Sequence, residues 1–208
     1  MYQCILASGS PRRKKILEQC GISFQVVKSD AEEVITKTEP SEVVMELSAQ
    51  KALDVAGKIT EQTCIIIGAD TIVANDKSQG IKSILGKPKD EADAFAMLQL
   101  LQGHTHSVYT GVTLLIRKDG KQKQVTFFEE TKVELVPMSE AEIKDYMASG
   151  EPMDKAGSYA IQGLFASFVK GIQGDYLNVV GLPICRIQEE LKKQSIDLKK
   201  DCKKDCKK

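Results

Sequence analysis

Apolar and polar positions alternate in blocks along the chain, and each block predicts one element. Residues 3–7 form an apolar run fit for a buried strand. It gives way to Ser8-Gly9-Ser10, which is turn chemistry, and then to PRRKKILEQ, where Ser10 can cap a helix and Pro11 fits its first position. A short extended piece near 24–27 and an acidic turn, SDAEEV, precede a helix from about 41 to 58. Residues 64–67 read as a buried strand ending in GADT, with 72–74 its continuation or its return. A helix follows over about 90–101. Residues 107–117 and 124–136 predict a long antiparallel pair around a turn at 118–121, followed by a helix over 139–148. The last stretch is glycine-rich. It runs from GEPMDKAGSYAIQG through an apolar strand near 165–169 to NVVGLP, and a closing helix ends near 194. Strand and helix signals therefore alternate in α/β order, and no internal repeat or Pro/Gly linker divides them.

Length and charge narrow this picture. A chain of 208 residues can bury a sizeable core as one domain, and the length does not require two. We expect residues 1–196 to form that domain and 197–208, with the repeat KKDCKKDCKK, to form a disordered lysine-rich tail. Basic and acidic residues number 29 each, so no global field favours nucleic acid or acidic membranes, and any anion binding must be local. The first apolar run is too short for a signal segment and no stretch approaches a membrane span, so the cytoplasm is the expected compartment. Of the six cysteines, four are scattered among apolar residues and none forms a CxxC pair, which predicts buried thiols rather than disulfides or zinc.

Candidate chemistry collects where the elements end. The helix opening at Pro11 presents backbone N–H groups and a positive dipole end, and Arg12 and Arg13 add full charges there. An anionic ligand would neutralise them; alternatively, PRRKK is a solvated face or a nucleic-acid patch. Asp70 lies at the exit of a central strand, where open α/β sheets bind ligands, although an Asp in GADT can also simply cap a turn. Lys51 falls in the middle of the apolar stripe Val44, Leu47, Val55, so it either snorkels past the core edge or points into an anion-binding cavity. Glu33 could hold a hard divalent cation through oxygen, or belong to an ordinary exposed acidic loop. Lys87 precedes a proline in LGKP, which suits a loop lysine reaching a phosphate and equally suits a surface turn. Glycines and small residues around Asp154, Lys155 and Gln162 allow close approach to a ligand, and the Gln162 amide can read a base edge. His104 and His106 lack a third ligand and read as structural.

SGSPRR, GADT, LGKP, HSVYTGV, DKAGSYAIQG and NVVGLP, in this order and up to about residue 190, closely resemble the Maf family of nucleoside triphosphate pyrophosphatases. The resemblance implies an inosine-triphosphatase-like fold: an elongated mixed sheet flanked by helices, with two lobes and a central cleft. It also implies metal-assisted attack of water on the α-phosphorus, with Mg²⁺, Mn²⁺ or Co²⁺ as cofactor. A nucleoside triphosphate is then the expected partner, in a homodimer without stable nucleic-acid or membrane association. By the same resemblance, Asp70 is the proton acceptor, and Arg12, Thr71 and Gln162 mark the branch preferring dTTP and UTP. Ser8, Arg13, Lys51, Lys87 and Lys155 are implied phosphate contacts, and Glu33 with Asp70 the metal-side acids. SDAEEV departs from the family's usual DIDE-like run, and the lysine-rich tail has no counterpart there. Two other readings remain: a catalytically silent nucleotide-binding regulator of cell division, and a nucleic-acid-binding module.

Overall fold

Strand β1 (Gln3–Leu6) carries Cys4, Ile5 and Leu6 on both faces, so it can exist only with both faces covered. In the computed structural model, which describes residues 1–75 and 84–202, it pairs in parallel with β2 (Gln25–Val26) on one side and β3 (Cys64–Asn75) on the other. Ile5 lies opposite both Gln25 and Ile66. Parallel neighbours need long crossovers. Helices α1 (Pro11–Gln19) and α2 (Pro40–Lys58) supply them. Residues 72–74 continue β3, and β4 (Ile84–Leu85) pairs antiparallel with its end.

Helix α3 (Glu91–Leu101) leads into β5 (Thr105–Lys118) and β6 (Lys121–Leu135). The turn between those strands uses Asp119 and Gly120, both with positive φ, as a two-residue Asp-Gly hairpin requires. Then come α4 (Glu140–Ala148), β7 (Val169–Gln173), α5 (Tyr176–Val180), α6 (Ile184–Lys192) and α7 (Leu198–Asp201). The sheet order is β2-β1-β3-β5-β6-β7, with β4 off β3: a seven-stranded mixed sheet. This is the mixed α/β architecture expected from the sequence.

The chain divides into two compact units. The first comprises residues 1–70, 110–129 and 181 onward. Its core packs Ile5, Ala7, Cys64, Ile66 and Leu115 against Ala52, Val55 and Ala56 of α2. The guanidinium of Arg117 donates to the carbonyls of Ala56 and Ile59 at 2.6 and 3.3 Å and so satisfies the C-terminal end of α2. The second unit comprises residues 71–109 and 130–180. Its core gathers Leu98, Leu101, Val133, Ile143, Tyr146, Tyr159 and Phe165.

Two expectations need correction. The apolar stretch near 165–169 does not begin as a strand: Leu164–Phe168 is a 3₁₀ turn, and β7 starts only at Val169. Spacing explains the turn. Residues three apart share one face of a 3₁₀ helix, and Phe165 and Phe168 meet with ring centroids 5.4 Å apart, while Phe165 also packs on Tyr159 and Tyr146 at 4.8 Å. The second correction concerns the tail, whose first six residues are ordered. Leu198 and Cys202 are buried, the Tyr2 N–H donates to the Asp201 carbonyl at 2.7 Å, and Tyr2 bridges Cys202. Lysine density misled here because one leucine and one cysteine suffice to seat a short helix on the N-terminal strand. Residues 203–208 lie outside the described residues.

Truncation should therefore be sharply position-dependent. Removing residues 203–208 leaves the melting temperature within about 1 °C, whereas removing 198–208 exposes Tyr2 and deletes Leu198. The second deletion lowers it by roughly 4 to 8 °C, from the ~2 kcal/mol of a buried leucine and its backbone partners. Thermal melts of the two truncations distinguish this from a tail disordered throughout.

Candidate active site

The N-terminus of α1 is built as its sequence predicts. Ser10 is the N-cap, its hydroxyl accepting from the Arg13 N–H at 3.5 Å, and Pro11 occupies the first turn. Arg13 turns inward: its Nε donates to the Gly181 carbonyl at 2.7 Å and its Nη1 to the Ser8 hydroxyl at 3.0 Å. Ser8 is buried and also accepts from the Ser10 N–H. PRRKK is thus not one solvated face. Lys14 faces outward toward Glu18 at 3.7 Å and Lys15 is exposed, while Arg12 is half-buried on the first turn. Burial pushes the Arg13 guanidinium below its ordinary value. The Asp70 charge opposes this, Arg12 adds to it, and Glu33 opposes it more weakly. Arg13 therefore feels both acids.

Asp70 does not stand at the exit of β3: it is the seventh of the strand's twelve residues, and the apolar residues 72–74 carry the strand on beyond it. At this break in burial, which Asp70 shares with Thr71, its side chain is 13% exposed. The Lys51 ammonium, 18% exposed, is hydrogen-bonded to it and lies 2.8 Å from the Glu33 carboxylate, which is 52% exposed. That settles the fate of the lysine in the apolar stripe: Val44, Leu47 and Val55 are buried, and Lys51 reaches out of their row to two carboxylates. Its acceptors are acids rather than solvent. Glu33 reaches Lys51 because the segment carrying it is strapped along α2. Val34 exchanges two hydrogen bonds with the Gln50 amide, 3.0 and 2.5 Å, and Thr36 donates to Glu46 from its N–H at 2.9 Å.

In the second unit, Thr71 follows directly in β3 and is half-buried. Lys87 is exposed in the bend after β4. Lys155 pairs with Asp154 and donates to the Glu151 carbonyl at 3.1 Å. Gln162 is half-buried in the bend before Gly163. The loops of Lys87 and Lys155 are joined, since the Gly157 N–H donates to the Gly86 carbonyl at 3.0 Å. Gly157 has φ +67, and a side chain there would come within 2.9 Å of Val73, so only glycine fits. His106 is structural as expected: burial lowers its imidazole to about 4, and its Nε2 lies 2.7 Å from the Tyr159 hydroxyl.

Residues 3–194 match the family described as Maf-like protein. The chain belongs to the Maf family.

Two relatives cover nearly all of this Maf chain. A dTTP/UTP pyrophosphatase of Lachnoclostridium phytofermentans is 57% identical over 201 residues, spanning 96% of this chain and 99% of that protein. A dTTP/UTP pyrophosphatase of Agathobacter rectalis is 52% identical over 210 residues, spanning 95% and 100%. Among solved structures, the Staphylococcus aureus Ham1 protein aligns over 92% of this chain and 99% of that one at 13% identity, with a TM-score of 0.48.

Sequence reasoning left three site-building features of this Maf protein unassigned. At Gly68 a Cβ would strike the Ser48 carbonyl and come within 2.8 Å of Ala52, and at Gly111 it would strike the backbone of Val44 and Met45. These two glycines let α2, and with it Lys51, lie against β3 and β5. The signal was available: a glycine inside an apolar strand marks close approach of another backbone. The third is the Gly181 carbonyl of NVVGLP, which orients Arg13 and which no side-chain pattern reveals.

No group of three or more His, Cys, Asp and Glu side chains suited to a metal occurs among the described residues. The donor set nevertheless fits a hard cation that is shared with its substrate. Two carboxylates already converge on one ammonium, and Mg²⁺ is commonly held by one or two carboxylates with phosphate oxygens completing the shell.

Proposed function

We propose that this Maf protein hydrolyses dTTP and UTP to the nucleoside monophosphate and pyrophosphate, with Asp70 as the general base. The carrying observation is the Asp70 carboxylate at the break in burial within β3, joined through Lys51 to Glu33 and felt by Arg13. Acids that activate water and bind a cation thereby sit beside the helix terminus and arginine that suit phosphates. The activity of the two near-full-length relatives points the same way.

In this reading the α1 N-terminus, Ser8 and Arg13 hold phosphate oxygens, and Lys51, Lys87 and Lys155 add positive charge. Asp70 accepts the proton of the attacking water. Arg12, Thr71 and Gln162 serve base choice. Bound at Glu33 and Asp70, Mg²⁺, Mn²⁺ or Co²⁺ would supply charge neutralisation of the triphosphate. Nucleotide-pool chemistry would place the protein in the cytoplasm, and a homodimer is the assembly implied by the family. Among the described residues, no helix is long and apolar enough to cross a membrane.

A pyrophosphate-release screen over the canonical triphosphates tests this reading. Turnover should require the divalent cation and favour dTTP and UTP over ATP and GTP; equal rates on purines would overturn the substrate assignment. The base reader has its own test. Gln162→Glu exchanges an amide donor for an acceptor-only carboxylate, so dTTP and UTP turnover should fall about tenfold or more while other nucleotides lose less. A uniform loss across substrates would remove Gln162 from base selection.

A further inference from the structure

We propose that Lys51 is a built-in place-holder for the divalent cation: it occupies Glu33 and Asp70 in the nucleotide-free protein, so that metal enters only together with a nucleoside triphosphate. The proposal rests on the nucleotide reading of this site and adds an order of binding to it. Its starting point is geometric. One ammonium contacts both carboxylates, and those are the two oxygen donors assigned to the metal.

Three features make the ammonium a strong competitor. Lys51 stands on a helix that cannot move away, because Val44, Leu47 and Val55 are buried and Gly68 brings β3 into close approach at Ser48 and Ala52. A tethered cation acts at high effective concentration. Glu33 is fixed by the same helix, whose polar row Glu46, Gln50 and Asp54 binds the backbone at Thr36, Val34 and Asp30. Finally, the Lys51 and Asp70 side chains are largely shielded from water, where ion pairing is screened less than at an open surface.

Charge balance then sets the order. Glu33 and Asp70 carry two negative charges, which Lys51 and Arg13 already balance and to which Arg12 adds a further positive one, so the ligand-free cluster has no negative charge left over. A bare divalent cation would add two more positive charges in a half-buried place. A metal-bound triphosphate brings net negative charge and gives Lys51 new oxygen partners, so the ammonium can leave the carboxylates without losing its pairing. Lys51 thus passes from acid to phosphate as metal and nucleotide arrive together. Metal and nucleotide binding must be coupled, and by linkage the coupling is reciprocal.

Direct metal binding to the full-length protein tests this without turnover. Mn²⁺ is titrated by electron paramagnetic resonance into wild type, Lys51→Met and Lys51→Gln, with and without α,β-imido-dUTP, which resists hydrolysis, and folding is verified by thermal melts. Nucleotide-free wild type should bind Mn²⁺ weakly, and either variant should bind it about tenfold more tightly or better, within the usual range of site-to-site coupling. The analogue should tighten Mn²⁺ binding in wild type by more than in the variants. Adding Asp70→Asn to Lys51→Met should abolish the gain, which places the metal at these acids. Unchanged or weaker Mn²⁺ binding in both folded lysine variants overturns the proposal. So does nucleotide-free wild type binding Mn²⁺ as tightly as wild type with the analogue. Failure of the underlying reading looks different: wild type would release no pyrophosphate from dTTP or UTP at any metal concentration.

Discussion

Asp70→Asn should lower kcat by about 10²- to 10⁴-fold, the range expected when a positioned general base is removed. The substitution keeps the shape of the side chain and removes its charge. Arg13 stays fixed to Ser8 and the Gly181 carbonyl, so nucleotide affinity should change far less than turnover. A metal titration then separates the two roles assigned to the carboxylate. If Asp70 also ligates the cation, the variant needs more Mn²⁺, and saturating metal restores part of its activity; a pure base shows no such recovery. A folded Asp70→Asn protein with near-normal turnover would make GADT a capping motif, with Glu33 or Asp154 as the next candidate for the base.

Gly68→Ala is the second change with a large expected effect, and it acts on stability and chemistry together. A Cβ at residue 68 would collide with the Ser48 carbonyl and approach the Ala52 Cβ and N to 2.8 and 2.9 Å. These are backbone and near-backbone atoms of α2, so relief requires the helix to move off β3. Overpacking of this kind costs about 1 to 3 kcal/mol and sometimes more. In a protein of this size that corresponds to a fall in melting temperature of about 2 to 12 °C. The same displacement pulls Lys51 from Asp70, so turnover should fall more than tenfold in protein that still folds at low temperature. Gly57→Ala on the same helix is the control. A Cβ there meets nothing within 4 Å, and alanine should be neutral or slightly stabilising. Equal melting temperatures for the two variants would show that the close approach at Gly68 is not tight.

These two positions also show how far the sequence could be read. Asp70 stood out because CIIIGA is apolar without alternation, which predicts a doubly covered strand that the acid interrupts; its expected place at the strand exit failed, because the apolar residues 72–74 extend β3 past it. The capped start of α1 was legible from Ser10 and Pro11, which are local signals. What escaped depends on packing between distant segments. Periodicity placed Lys51 in an apolar stripe but could not reveal that Glu33, eighteen residues earlier, is strapped to the polar row of the same helix. Gly68 and Gly111 carried a backbone-approach signal without naming the backbone that approaches. Leu198 and Cys202 were hidden by the lysines around them, since composition averages over the few residues that are buried.

Attack of water on the α-phosphorus of dTTP or UTP leaves its mark in the products of a single-turnover reaction run in ¹⁸O-labelled water. Mass spectrometry of the products should find one labelled oxygen in dTMP or UMP and none in pyrophosphate, and the Asp70→Asn protein should form almost no labelled monophosphate within the same time. Label in pyrophosphate or release of orthophosphate would place the attack at another phosphorus and rule out this mechanism.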